Sequence, residues 1–174
     1  MSKVLVLYGS SHGRTRAIAA RIAQQLGDAD LVDADAAKPV APVAYAAVVI
    51  GSRIQYERCA SSVVGYVAEY RAALARRVTA FFTVSMAATR HAQGADCDPR
   101  GNMASLFARL GWTPGLRAGF AGGLPYLDYA WPLRLAMRAT SLVGGHPTDP
   151  SRNHVFTDEL AVDAFAARIA EATR

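Results

Sequence analysis

Apolar residues along this chain fall into two kinds of pattern. In Lys3–Tyr8 (KVLVLY), Ala46–Gly51 (AAVVIG), Val78–Val84 (VTAFFTV) and Leu116–Ala121 (LRAGFA) they run almost unbroken and are rich in β-branched and aromatic side chains. Such runs predict strands buried on both faces, the pattern of a parallel sheet. Between them the apolar positions recur with helical spacing. Thr15–Leu26 carries Ile18, Ile22 and Leu26 at i, i+4 and i+8 and stops at Gly27, which predicts an amphipathic helix with a glycine after its end. Ser62–Arg76 and Gly101–Leu110 predict two more helices, and Glu159–Ala172 closes the chain with Leu160, Phe165 and Ile169 on its inner side. A weaker strand, Ala29–Asp33 (ADLVD), completes a β–α alternation, the signature of an open, doubly wound α/β sheet with helices on both faces.

In such sheets ligands sit beyond the carboxyl ends of the strands, where the strand order reverses. The loops after the first, third and fourth strands therefore hold the candidate site. The first runs Ser10, Ser11, His12, Gly13, Arg14, Thr15. Its backbone N–H groups, with those of the following helix's first turn, converge on one bound anion. Hydroxyls at Ser10 and Thr15 add donors, and Gly13 permits a close backbone approach or a positive φ. An ordinary strand-to-helix turn capped by Ser or Thr has the same local look. Two better-known phosphate loops are excluded: Ser11 stands where the second glycine of G-x-G-x-x-G belongs, and Arg14 replaces the lysine of a P-loop. What remains is a loop for a single phosphate.

S-x-H-G-R-T resembles the T-x-T-G-x-T loop by which flavodoxins hold the phosphate of FMN, with His12 where threonine is usual. The resemblance implies that the loop after the third strand, GSRIQYERCAS, supplies Tyr56 to stack on the isoalloxazine. Ser52, Arg53, Ile54 and Gln55 would bring backbone groups to the ring edge; the plainer alternative is a Tyr56 that merely covers the sheet's end. Ser85, Met86, Ala87 and Ala88 follow the fourth strand, mostly small residues that let backbone approach the flavin from the other side.

The order L-Y-x-S-x-x-G-x-T, V-V-I-G-S-R-I-Q-Y, F-F-T-V-S, A-G-x-L-x-Y and a late G-G-x-x-T-D is similar to the menaquinone-dependent protoporphyrinogen dehydrogenases, flavodoxin-like enzymes of haem synthesis, over nearly the whole chain. The resemblance implies a five-stranded flavodoxin-like sheet in one domain, 1–174. Its last strand would be interrupted, with Ala118–Ala121 and Asn153–Thr157 as the halves and 122–152 inserted. It also implies an FMN-dependent oxidoreductase converting protoporphyrinogen IX to protoporphyrin IX in two-electron steps, with menaquinone or ubiquinone as acceptor. The chemistry would be the flavin's, with no side chain assigned as catalytic. Arg53, Arg58, Arg134 and Arg138 are the candidates for pairing with the substrate's propionates, because a guanidinium matches a carboxylate bidentately. Leu127, Asp128 and Ala130 depart from the basic and aromatic residues usual there.

The insert can also be read from its residues. Pro132 suits the first turn of a helix and Gly144 with Gly145 suits its end. On a helix from Trp131 to Val143, Arg134 and Arg138 share one strip while Leu133, Leu135, Met137, Leu142 and Val143 occupy most of the rest. Such a helix is too short to span a bilayer but suits its surface, with the arginines snorkelling. Packing on the domain or on a second subunit of a homo-oligomer is the alternative.

Composition narrows the partners. Nineteen Lys and Arg against fourteen Asp and Glu give a net charge of +5, which favours an anionic partner. The basic residues are scattered without interleaved aromatics, which disfavours nucleic acid. The charge also disfavours an electron-carrier flavodoxin, a class typically acidic; an FMN quinone reductase fed by NADH or NADPH stays open. Hydrophobic residues at 52% and charged residues at 19% describe a globular protein. Cys59 and Cys97 lack metal-like spacing, as do the four histidines, so free thiols and no metal are expected. The first residues lack the basic, apolar and small-residue order of a signal peptide, so a cytoplasmic protein, peripheral on the inner face of the membrane, is expected.

Overall fold

The computed structural model describes residues 3–10, 13–35, 40–55, 58–98, 101, 103–124, 127, 130–144, 149 and 151–174, with only the backbone of 87, 90, 124, 133, 134, 137, 140, 143 and 144. Along the chain run β1 (Val4–Gly9), α1 (Arg14–Leu26), β2 (Ala29–Asp33), β3 (Ala47–Arg53), α2 (Ser61–Leu74), β4 (Val78–Ser85), β5 (Gly94–Ala95), α3 (Met103–Leu110), β6 (Leu116–Ala121), β7 (Gly123–Leu124), α4 (Trp131–Gly144), β8 (His154–Val155) and α5 (Glu159–Ala172). The predicted strands and helices all form, with ends shifted by a residue or two.

The main sheet has the order β2-β1-β3-β4-β6-β5. Its first five strands are mutually parallel. Because successive side chains on a strand point to opposite faces, each unbroken apolar run supplies two cores at once. Val4, Val6 and Tyr8 join Ile18 and Ile22 of α1 and Phe165 and Ile169 of α5 on one face. Leu5 and Leu7 join Val63 and Val67 of α2 and Leu106 and Phe107 of α3 on the other. On β4 the neighbours Phe81 and Phe82 divide in the same way.

Helix α5 starts where the Asp158 side chain accepts a hydrogen bond from the Ala161 N–H at 3.1 Å, satisfying one of the unpaired donors of a helix start. It is clamped to α1 by Arg21, whose Nε and Nη2 donate to the two carboxylate oxygens of Asp163 at 2.6 and 2.8 Å and whose Nη1 donates to Glu159 at 2.8 Å. That clamp holds the Asp163 carboxyl below its usual range, chiefly through the hydrogen bond from Arg21.

The expected split of the last strand is corrected at its second half. His154–Val155 pairs antiparallel with Gly123–Leu124 in a separate two-stranded ribbon, register Gly123↔Val155 and Leu124↔His154, and not alongside β4 and β6. The outer edge of β6 is taken instead by Gly94–Ala95, antiparallel, which adds a sixth, short strand to the five expected. The chain turns away from the sheet where the Gly122 N–H donates to the Ser85 carbonyl and the Phe156 N–H to the Gly122 carbonyl, at 3.1 and 3.2 Å. The segment from 122 to 152 thus leaves and returns through the base of a ribbon, not through the sheet.

Candidate functional site

Three loops meet at the carboxyl edge of the sheet because register aligns the strands that end in them. Gly9 lies opposite Ser52, Ser52 opposite Thr83, and Ser85 opposite Ala121. At about 4.8 Å between strands, the ends of β1, β3 and β4 span about 10 Å.

In the first loop the Gly13 N–H donates to Ser10 Oγ at 3.1 Å and Gly13 has φ +77°. Gly13 is the residue before α1, and no side chain caps the helix there. The Gly13 carbonyl takes the Ala17 N–H at 2.9 Å, so the N–H groups of Arg14, Thr15 and Arg16 precede the first intrahelical partner. An uncapped helix start is positive by about half a charge and matches an anion. Nothing lies within 4 Å of a Cβ built on Gly13, so space remains beside the loop. Thr15 is buried, while Ser11 and His12 lie outside the described residues.

The Arg14 side chain leaves the loop. Its Nη2 donates to Thr157 Oγ1 at 3.2 Å, and that hydroxyl donates to the Ala121 carbonyl at 2.8 Å. Its methylenes lie 3.4–3.5 Å from where a Cβ on Gly123 would be. The Nε is buried without a partner, and burial lowers the basicity of the guanidinium against the opposing charge of Glu159. Arg14 therefore contributes backbone to the loop and side chain to the base of the β7–β8 ribbon, which brings the insert against the start of α1.

In the second loop Ser52 is wholly buried. Its Oγ accepts from the Ala60 N–H and donates to the Arg53 carbonyl, both at 3.0 Å, so the hydroxyl fixes the entry to α2 and only its backbone serves the site. Ile54 N–H donates to the Val84 carbonyl at 2.8 Å, and Gln55 and Arg58 exchange backbone bonds at 3.1 and 3.0 Å, closing a tight turn. Tyr56, the expected stacking residue, lies outside the described residues. Arg58 is exposed, and Arg53 is half-buried with an Nε that is buried and unpartnered. Cys59 beside it is a free thiol, pushed up in pKa by burial.

In the third loop Met86–Arg90 forms a turn of 3-10 helix, begun after Ser85 and closed by the Thr89 hydroxyl on the Met86 carbonyl at 2.9 Å. Met86 is half-buried and Ala88 fully buried. The Ala87 side chain lies outside the described residues. On α4 the side chain of Arg134 does too, whereas Arg138 is exposed and lines a groove of about 310 Å³ with Leu135, Ala139 and Leu142.

The sequence reading missed Gln93. Its amide Nε2 donates to the Phe156 carbonyl at 2.8 Å, and its Oε1 accepts from the N–H groups of Ala121 and Asp158 at 2.9 and 3.0 Å. One side chain thereby joins the end of β6, the return from the insert and the start of α5. No local pattern marks a single glutamine whose partners lie far along the chain.

Three loops at the carboxyl edge of a doubly wound sheet, the first ending in an uncapped helix start with a left-handed glycine, form a candidate mononucleotide-binding site. The comparisons agree. A profile described as flavodoxin domain matches residues 5–151, and the chain belongs to that family. It is 29% identical over 178 residues to a protoporphyrinogen IX dehydrogenase [quinone] of Leishmania major, covering 97% of this chain and 74% of that one. It is 28% identical over 180 residues to the protein of the same name from Escherichia coli K12, covering 98% and 96%. Among solved structures, a flavodoxin from the Archaea superposes with TM-score 0.56 at 18% identity over 98% of both chains, and flavodoxin 1 from Bacillus cereus with 0.54 at 11% identity over 98% and 96%. The fold is flavodoxin-like, and the protein is an FMN-type oxidoreductase with FMN as cofactor. FMN supplies two-electron redox chemistry; the residues that would hold it here are Ser10, Gly13 and the first N–H groups of α1 for the phosphate, with the backbone of Ser52–Gln55 and Ser85–Ala88 flanking the ring. Among the described residues no helix is long and apolar enough to cross a membrane, and no group of His, Cys, Asp or Glu could hold a metal.

Proposed function

We propose that this protein oxidises protoporphyrinogen IX to protoporphyrin IX and passes the electrons to menaquinone or ubiquinone. The observation that carries the reading is the similarity over 97% and 98% of this chain to two proteins of that name. The conversion removes six electrons and six protons, so three quinones are reduced to quinols for each porphyrin formed. The chain's own part is to hold the flavin, present its edge and seat an apolar macrocycle bearing two carboxylates. Arg53 and Arg58 of the second loop and Arg134 and Arg138 of α4 are the proposed partners of the propionates. Arg138 lines a groove with Leu135 and Leu142, pairing a positive head with apolar surface.

Helix α4 also suits a lipid surface. Trp131 and Leu142 are 77% and 72% exposed, an unusual amount for side chains of their size, and Leu135 is exposed between them. We place this face of the insert, 122–152 of one domain 1–174, against the inner leaflet of the cell membrane, where a lipid-dissolved quinone is reached. The deciding experiment is anaerobic mixing of the FMN-loaded protein with protoporphyrinogen IX. Loss of the flavin's visible absorbance together with the appearance of protoporphyrin fluorescence is expected. A flavin bleached by NADPH but untouched by protoporphyrinogen would instead make the protein a nicotinamide-fed quinone reductase.

A further inference from the structure

At the pole opposite the flavin loops, a cavity of about 460 Å³ opens between the end of α2, the start of β4 and the turn from α3 to β6. Leu74 and Trp112 form its apolar floor, both buried. Trp112 is held edge-on against Phe81 in the core, centroids 6.3 Å apart. Around the floor stand Arg71, Arg77 and Thr79. No carboxylate lines the cavity, and neither arginine forms an ion pair among the described residues. Arg71 reaches over the α3–β6 turn, with Nη1 2.7 Å from where a Cβ on Gly111 would sit. Arg77 uses Nη2 on the Val43 carbonyl at 2.8 Å, and its Nε is buried without a partner. Thr79 Oγ1 accepts the Gly115 N–H at 3.1 Å, which leaves its own hydrogen for a further acceptor.

Two guanidinium groups beside a cavity without a carboxylate make it positive and favour an anion there. The carboxyl ends of α2 and α3 offset at most about one of the two charges. The fork of Arg71, the Nη1 that Arg77 still has to offer and the Thr79 hydroxyl arrive from different points of the rim, which the three oxygens of a phosphate meet better than the two coplanar oxygens of one carboxylate. The volume and the aromatic floor exceed what an inorganic ion fills. We propose that this cavity is a second binding site, for a phosphate monoester with a small apolar or aromatic body. Thr79 and Ser85 are about 20 Å apart along β4, so the ligand does not touch the flavin or its substrate. Its binding acts at the far pole and is independent of the activity proposed above.

The chain has two tryptophans, and the other, Trp131, lies on α4. In an FMN-loaded Trp131→Phe protein, with the α1 loop already occupied, Trp112 emission therefore reports the cavity. Phenyl phosphate is the probe and benzoate the control. The expected result is a saturable change in Trp112 emission with phenyl phosphate and at least tenfold weaker binding of benzoate. Arg71→Gln, an exposed position, should weaken phenyl phosphate at least tenfold while flavin content and melting temperature hold. Arg77→Lys, which keeps charge and loses the fork, should weaken it too. The proposal is overturned if phenyl phosphate gives no saturable change, if Arg71→Gln titrates as its parent does, or if benzoate binds equally well.

Discussion

Gly13 and Gly27 stand at the two ends of α1 with φ of +77° and +79° and ψ of −16° and −72°, and nothing lies within 4 Å of a Cβ on either. Alanine at each position therefore adds no clash and imposes only backbone strain, about 1–2 kcal/mol at the left-handed Gly13 and at least as much at Gly27. The two sites are about 20 Å apart along the thirteen-residue helix, and only Gly13 belongs to the phosphate loop. Gly27→Ala should lower the melting temperature by at least about 2 °C for a chain of this size, with and without FMN, and leave FMN affinity unchanged. In Gly13→Ala the apoprotein loop can relax to negative φ and turn its N–H groups away, so the strain returns when the phosphate binds. FMN affinity should then fall about 5- to 30-fold, the factor equivalent to 1–2 kcal/mol. Apoproteins titrated with FMN, followed by quenching of flavin fluorescence, with melting curves of both forms, make the comparison. If Gly13→Ala binds FMN as tightly as Gly27→Ala does, the loop is an ordinary strand-to-helix turn and the placement of the phosphate is wrong.

Other outcomes test the rest of the site. Gln93→Ala removes three hydrogen bonds that close the base of the insert and should cost about 2–3 kcal/mol, read by denaturant unfolding, with porphyrinogen turnover reduced more than FMN content. Asp163→Asn should lower the melting temperature at neutral pH. Because the folded carboxyl titrates below its unfolded value of about 3.9, the difference from wild type should persist above that pH and vanish as pH falls through the folded value, as melts across an acid series will show. Arg134→Glu combined with Arg138→Glu should leave FMN bound yet depress porphyrinogen oxidation, most at low ionic strength; kcat/KM unchanged across salt would remove α4 from the substrate's path. Tyr56→Ala should shift the flavin's reduction potential more than the melting temperature, and an unaltered potential and flavin spectrum would end its stacking role.

What could be read from the order of residues was what local physics governs. Val4–Gly9 must bury both faces wherever it lies, because every residue in it is apolar or small, and the run therefore predicts an interior strand. Ile18 and Ile22 fall on one side of α1 by helical geometry alone, and Gly27 ends that helix because a positive φ was required there. The turn of the candidate phosphate loop was legible for the same reason: a glycine between a strand and a helix start is a local event. The sequence left open whether Gly13 serves close approach or positive φ, and its φ of +77° shows that the second is required there.

Tertiary structure decided what depends on partners distant in the chain. The residues around His154 look like the rest of a sheet strand until β5 is seen on the edge of β6, after which only the ribbon with β7 is available to them. Arg14 reads as a loop cation, but its side chain follows the nearest acceptor, Thr157, and becomes the joint between the cofactor loop and the insert. Gln93 carries no pattern because its acceptor and donors come from β6, the return segment and α5, which only folding brings within 3 Å of it. Periodicity records which face of an element seeks the core; it holds no record of which distant backbone group a polar side chain will meet, since that is set by how the elements pack.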